Sequence, residues 1–257
     1  LQLKDVLVTM PPRSDAESFV LGPVGLSIRR GSVTIVQGPN GSGKSTLLHV
    51  LLGLIRPQSG HLLVDGNAVD INTLDAYRQL FSVVFAKPHL FDKMYGKAAE
   101  IEAAQAWLTK LGVADLKADV SSRMSAALST GQRKRLALAR ALAEARPILV
   151  LDEYTADQDP ASRERFLSSI LPLLKAEGRT VIAPESPTAS FDVTPPRASR
   201  MAAARSLSGA AGRATGSDMQ PILGRNHTAV IQEVPWLPPV RLPFFRTPRA
   251  SAAGRLQ

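Results

Sequence analysis

Apolar residues along the chain fall into short continuous runs and longer helical patterns. Two runs, Val33-Thr34-Ile35-Val36 and Ile148-Leu149-Val150-Leu151, are only four residues long and have no polar face. Such runs are typical of buried parallel strands, because helices cover both sides of a parallel sheet. Helical patterns at 98–111 and 161–175 fit the covering helices. The pattern therefore predicts an open α/β sheet, in which ligands bind at the carboxyl ends of the strands.

The segment after the first strand matches the phosphate-binding pattern G-x-x-x-x-G-K-[ST]. Its glycines allow successive backbone N–H groups to point at a polyphosphate, and the following helix adds partial positive charge. Lys44 is expected to reach the β- and γ-phosphates, and the Ser45 hydroxyl to ligate Mg²⁺. With a strand before it and the helix-like run 47–52 after it, the loop predicts a nucleoside triphosphate site. The loop consists of Gly38, Pro39, Asn40, Gly41, Ser42, Gly43, Lys44, Ser45 and Thr46.

The second strand ends in two carboxylates, Asp152 and Glu153. Asp152 is expected to hold Mg²⁺, directly or through water. Glu153 is placed to polarise the water that attacks the γ-phosphate. An apolar strand ending in Asp-Glu is common by itself, and its combination with the phosphate loop favours the catalytic interpretation.

A third segment lies between these two and precedes a basic amphipathic helix at 133–142. Ser129 can cap that helix, and the Gly131 N–H can face an anion. The order of phosphate loop, this segment and the Asp-Glu strand resembles the ATP-binding domain of ABC transporters. The segment, which corresponds to the family signature, consists of Leu128, Ser129, Thr130, Gly131 and Gln132.

The resemblance covers residues 1–183 and implies a P-loop NTPase fold of the ABC type. This fold has a mostly parallel α/β sheet, an antiparallel N-terminal subdomain and a helical subdomain. The resemblance also implies ATP and Mg²⁺ as ligands, and a homodimer in which the signature of one copy meets the γ-phosphate held by the other. Asp159 matches the aspartate of the family's D-loop. The transmembrane domains of a transporter are implied as partners, which places the chain at the cytoplasmic face of the inner membrane.

Several positions depart from the family pattern. Met10 stands where the family usually stacks an aromatic ring on adenine, and Thr130 stands in place of a glycine. The loop at Ala86 lacks the usual glutamine, and Ser186 falls where a histidine is usual. The signature segment 128–135, the D-loop segment 156–160 and the glutamine-less loop at 85–86 together resemble the exporters of cyclic peptides and peptide siderophores most closely. The sequence also leaves open a nucleotide-binding module with impaired hydrolysis, because the glutamine and the histidine are both missing.

Composition narrows the remaining possibilities. The chain has no cysteine, so disulfides, thiolate metal sites and thiol catalysis are excluded. No apolar run approaches the ~18 residues of a membrane span, and the N-terminus does not resemble a signal peptide. The net charge of +9 suggests a DNA- or ribosome-associated ABC ATPase as an alternative. Such proteins carry a long coiled coil or a second ATPase domain. The sequence pattern indicates neither of them here, so a nucleic-acid partner is not expected.

Residues 184–257 have a different composition. They contain nine arginines, no lysine, four acidic residues and ten of the 19 prolines. Without a sustained period of 2 or 3.6, this tail is predicted to be mostly disordered, with a short helix at 200–207, and to be dispensable for folding. Three interpretations remain open: a solvated tail, a basic docking arm, or the product of a shifted reading frame.

Overall fold

The computed structural model describes residues 1–11, 18–91, 97–117, 128–185, 219–224 and 227–233. The strands are β1 (Gln2–Met10), β2 (Phe19–Ser27), β3 (Val33–Gln37), β4 (Ser59–Val64), β5 (Asn67–Ala68), β6 (Phe81–Val84), β7 (Ile148–Leu151), β8 (Thr180–Glu185), β9 (Met219–Gly224) and β10 (His227–Glu233). They form two sheets: one is antiparallel, with strand order β2-β1-β4-β5, and the other has the order β6-β7-β8-β3-β10-β9. In the second sheet the first four strands are parallel, and the last two are antiparallel to their neighbours.

The helices follow the predicted patterns closely. The pattern at 161–175 becomes one continuous helical stretch with a π-type segment, Phe166–Ile170, in its middle. Pro172 lies just beyond this segment and has no N–H to donate to the preceding turn, which explains the local widening. The helices are α1 (Lys44–Leu51), α2 (Leu74–Arg78), α3 (Ala98–Lys110), α4 (Thr130–Ala143), α5 (Pro160–Arg165) and α6 (Leu171–Ala176), with a 3₁₀ turn at Tyr154–Asp157.

The parallel strands separate two hydrophobic cores. Along β3, Val33 and Ile35 face a core built with α3 and α4, whereas Val36 faces a core built with α1 and the antiparallel sheet. The same alternation occurs in β7, where Leu149 and Val150 lie in different cores. Both faces of each strand are therefore apolar, which is the physical reason for the unbroken runs in the sequence.

The strand order brings the predicted motifs to one edge of the sheet. The phosphate loop follows the carboxyl end of β3, and Asp152 follows the carboxyl end of β7. These strands are parallel and separated only by β8, which hydrogen-bonds to both. Two segments more than 100 residues apart in the chain therefore meet on the same side of the fold.

Two segments of the tail form strands. Strands β9 and β10 pair with each other, and β10 pairs with β3 in a register that opposes Val230 to Gln37. Pro221 lies in β9, the outermost strand, where a missing N–H can face away from the ladder. The inner strand of the pair, β10, contains no proline. The helix predicted at 200–207 lies outside the described residues.

Candidate nucleotide-binding site

The phosphate loop joins β3 to α1 in the conformation that its glycines predict. Gly41 and Gly43 have φ angles of 84° and 92°, in the left-handed region that favours glycine. A side chain at Gly43 would also collide with the Phe19 ring, since an added Cβ would lie 2.8 Å from its Cζ. Glycine is therefore favoured at this position both by the backbone angle and by the ring that lies next to it.

Lys44 is folded back onto the loop. Its side chain is buried, and its Nζ donates to the carbonyl oxygens of Gly38 at 2.6 Å and Pro39 at 3.1 Å. The Ser42 hydroxyl is also buried and has no hydrogen-bond partner among the described residues. An ammonium held by carbonyls and an unpaired hydroxyl fit a loop that receives an anion.

An open cavity of about 500 Å³ lies above the loop. Glu153 reaches it from the end of β7, so the structure brings together two of the predicted motifs. Met10 also borders it, at the position predicted for the nucleotide base. The lining residues are Met10, Pro11, Phe19, Asn40, Gly41, Gly43, Lys44, Ser45, Thr46 and Glu153.

Phe19 is a cavity residue that the sequence analysis missed. It is the cross-strand partner of Met10 in the β1–β2 pair, and it is half-buried at the cavity wall. The thioether and the ring therefore lie side by side above the phosphate loop. The sequence could have indicated this role, because Phe19 is the first Phe, Tyr or Trp of the chain and the only one before Tyr77.

The two carboxylates at the end of β7 have different surroundings. Burial raises the pKa of Asp152, and the negative charge of Glu153 acts in the same direction. An Asp152 carboxylate oxygen faces the N–H of Ala86 at 3.4 Å, in the loop that lacks the family glutamine. Glu153 has a φ of 47°, and its N–H donates to the carbonyl of Pro184 at 2.9 Å.

The signature segment forms the start of α4 as predicted. Ser129 accepts from the N–H of Gln132, and the Gln132 side chain accepts from the N–H of Ser129, which makes a complete capping box. Gly131 is buried against the turn after β7, since an added Cβ would lie 2.9 Å from the carbonyl oxygen of Asp157. Ser129 and Thr130 are exposed and are not among the residues that line the described cavity.

Asp159 lies beside the same helix. It caps α5 by accepting from the N–H of Ser162 at 2.9 Å, and it pairs with Arg135 at 3.0 Å. The bonds from Ser162 and then the Arg135 guanidinium hold the pKa of Asp159 well below its usual range. The predicted D-loop residue is thus tied to the signature helix of its own chain.

Comparison with known proteins settles the family. The ABC transporter family model matches residues 21–156, which is more than half of the chain. The chain belongs to the ABC transporter family. ATP hydrolysis is the characteristic activity of the ATP-binding domain of this family, and the predicted domain type is confirmed.

Two curated relatives and one solved structure show how far the similarity extends. The ATP-binding protein SyrD of Pseudomonas syringae pv. syringae is 42% identical over 188 residues, which cover 71% of this chain and 33% of SyrD. The mycobactin import ATP-binding/permease protein IrtB of Mycolicibacterium thermoresistibile is 34% identical over 188 residues, 66% of this chain and 32% of IrtB. The chain therefore spans about a third of the length of these relatives. The dimeric, post-hydrolysis structure of the ATP-binding cassette MJ0796 bound to ADP and Pi has a TM-score of 0.58 and 30% identity, and the match covers 72% of this chain and 87% of MJ0796. The predicted fold class is confirmed.

The remaining predicted positions of this ABC domain are only partly described. Ser186 lies outside the described residues. Within the described part of the chain, no three acidic, histidine or cysteine side chains group into a metal cage, and no helix is long and apolar enough to cross a membrane. A Mg²⁺ site made of one carboxylate, one hydroxyl and phosphate oxygens does not require such a cage. Ser45 in the cavity and Asp152 at the end of β7 supply donors of that kind.

Proposed function

We propose that this chain binds ATP at residues 38–46 and hydrolyses it, as the motor domain of a transporter. The observation that supports this most is that Lys44 and Glu153 line one cavity, although they lie 109 positions apart in the chain. A cation for the phosphates and a carboxylate for the attacking water are the two groups that hydrolysis of a phosphoanhydride needs closest to the γ-phosphate.

The residues of the site have different proposed roles. The loop N–H groups and Lys44 bind and orient the phosphates, and Glu153 orients and polarises the water. Ser45 and Asp152 would hold Mg²⁺, which neutralises phosphate charge when it is bound. Met10 provides a thioether and Phe19 an aromatic ring for the adenine base of the nucleotide. The aromatic ring therefore comes from β2, whereas the family pattern places it at the Met10 position at the end of β1.

A second copy of the domain is proposed to complete the site. Ser129 and Thr130 are exposed, whereas a residue that served the cavity of its own chain would line it. Their capped helix terminus can therefore offer N–H donors to a γ-phosphate held by another copy. The dimeric state of MJ0796 supports this arrangement.

The domain is further proposed to power export of a cyclic peptide or peptide siderophore, at the cytoplasmic face of the inner membrane. The variants of the signature and D-loop segments, which resemble those of this branch, support the proposal. The name of IrtB combines an ATP-binding part with a permease part, which supports transmembrane domains as partners. IrtB is named for import, so import of a related cargo is the competing direction.

One observation favours a second candidate, a module that binds ATP but hydrolyses it poorly. Ala86 faces Asp152 with its backbone N–H, and its methyl side chain has no amide with which to replace that of glutamine. In that case ATP would act as a ligand that joins two copies and not as a fuel.

The dimer is tested with Glu153→Gln, which keeps the shape of the side chain and removes the base. Sedimentation velocity with Mg-ATP should show the variant shifting to a dimer, while the same sample without nucleotide stays monomeric. Lys44→Ala in the Glu153→Gln background is the matched control and should remain monomeric in both conditions. A dimer that forms equally without ATP, or a variant that never dimerises, would contradict the proposed site.

The cargo is tested in the native cell. Replacing the chromosomal gene by the Lys44→Ala allele should remove a cyclic or siderophore-like peptide from the culture medium, as measured by mass spectrometry. Accumulation of that peptide inside the cells supports export. Loss of its uptake from the medium would instead assign import.

A further inference from the structure

Lys134 is a buried cation in α4. Its side chain is 1% exposed, and its ammonium makes a 2.6 Å ion pair with the carboxylate of Asp157. The same Nζ donates to the backbone carbonyl oxygen of Glu153 at 2.5 Å. The side chain thus joins the signature helix to both ends of the turn that follows β7.

A lysine in this position has a high energetic cost unless its charge is compensated. Desolvating an ammonium costs several kcal/mol, which only an anion and additional hydrogen bonds can offset. Asp157 supplies the anion and the Glu153 carbonyl supplies a second acceptor. Because Asp157 is half-exposed, the pair is anchored at the protein surface and its cationic end lies inside.

The contact falls on a residue with a left-handed backbone conformation. Glu153 has a left-handed φ of 47°, a conformation that is unfavourable for a residue with a side chain. Its N–H is fixed by the carbonyl of Pro184 in β8, and its C=O is fixed by Lys134. Both peptide groups that flank its Cα are therefore held, and this determines the direction in which the carboxylate leaves the backbone.

We propose that Lys134 is a positioning residue for hydrolysis, which holds Glu153 in the orientation that directs its carboxylate into the nucleotide cavity. This inference rests on the proposed function of Glu153. Lys134 does not touch the cavity itself, so it acts through the Glu153 backbone and not on the nucleotide. Since it belongs to the same helix as Ser129, it also makes the position of the catalytic carboxylate depend on the position of the signature segment of its own chain.

Steady-state ATP hydrolysis and equilibrium ATP binding are measured for the parent chain, Lys134→Met, Glu153→Gln and the double variant. Methionine keeps most of the volume of lysine and removes its charge and its donors. Lys134→Met should lower kcat about tenfold or more, with the Kd for ATP within twofold of the parent. Lys110→Met, the same change at an exposed lysine of α3, should leave both constants unchanged.

The double variant separates positioning from general damage. If Lys134 acts through Glu153, Lys134→Met should change kcat by less than twofold when Glu153 is already Gln. Equal losses in both backgrounds would overturn the proposal, because they would show a structural effect on the whole domain. A parental kcat for Lys134→Met, together with a strong effect of Glu153→Gln, would also overturn it while leaving the proposed function intact.

Asp157→Asn tests the same contact by changing its exposed partner, and it replaces Lys134→Met in the experiment if that variant does not yield folded protein. It removes the charge that anchors Lys134 and should lower kcat threefold or more, again with no effect in the Glu153→Gln background. A parental rate for Asp157→Asn in folded protein would contradict the role of the pair. If Glu153→Gln itself hydrolyses ATP at the parental rate, the proposed base is wrong and the positioning role fails with it.

Discussion

Replacement of Lys44 by alanine should weaken ATP binding without disturbing the fold. In the structure the ammonium is shared by two loop carbonyls, at 2.6 and 3.1 Å. If ATP binds as proposed, at least one of these contacts is exchanged for a phosphate oxygen. A hydrogen bond between charged groups contributes about 1.5–3 kcal/mol, so the variant should lose roughly 10- to 150-fold in affinity. Lys44 itself lines the open cavity, so water can enter the space that its side chain leaves, and the unfolding midpoint should change little.

Isothermal titration calorimetry with ATP and Mg²⁺ measures the effect. Lys4→Ala, at an exposed lysine of β1, is the matched control and should bind ATP like the parent. Adenosine monophosphate should bind parent and variant equally, because it lacks the phosphates that Lys44 is expected to reach. Binding of ATP within twofold of the parent would refute the assignment of the phosphate loop. Equal losses for ATP and the monophosphate would indicate damage to the whole pocket.

Three further predictions follow from other parts of the structure. Phe19→Ala should lower ATP affinity about fivefold or more, from the loss of roughly 1 kcal/mol of ring contact, and leave the binding of inorganic triphosphate unchanged in a competition titration. Asp159→Ala should lower the free energy of unfolding by about 1 kcal/mol at neutral pH, because the cap of α5 is lost. The midpoint of thermal unfolding should fall by about 2–4 °C as a result. Because the pKa of Asp159 is lowered in the folded chain, this difference should be complete above about pH 4 and be lost as the pH falls further. A chain ending at Glu185 should have a thermal unfolding midpoint about 4–12 °C below that of the full chain. The reason is that β3 loses its four residue pairs with β10, which contribute about 2–3 kcal/mol. An unchanged midpoint would instead support a dispensable tail.

The parts of the fold that could be predicted are those in which the sequence pattern is local. The runs at 33–36 and 148–151 are apolar on both faces because two cores lie against the parallel sheet. The phosphate loop is fixed by glycines within nine consecutive residues. In both cases the residues that determine the structure are neighbours in the chain, so a short window contains the information.

The missed features depend on contacts between distant residues. Phe19 becomes a cavity residue only because β2 folds back on β1 and opposes it to Met10. Lys134 looks like one more cation of a basic amphipathic helix, and only the turn after β7 shows why it is buried. The strands of the tail depend on the free edge of β3, which composition does not reveal.

Phosphate release from ATP is the most direct test of the central claim that Glu153 promotes hydrolysis at the 38–46 loop. The rate should be measured at saturating Mg-ATP for the parent chain and for Glu153→Gln, with calorimetric titration confirming that both bind ATP. We expect measurable turnover by the parent, none when EDTA removes Mg²⁺, and a rate at least tenfold lower for the variant. A parent rate no higher than that of buffer, in protein that binds ATP, would contradict the claim and assign the chain as a nucleotide-binding module.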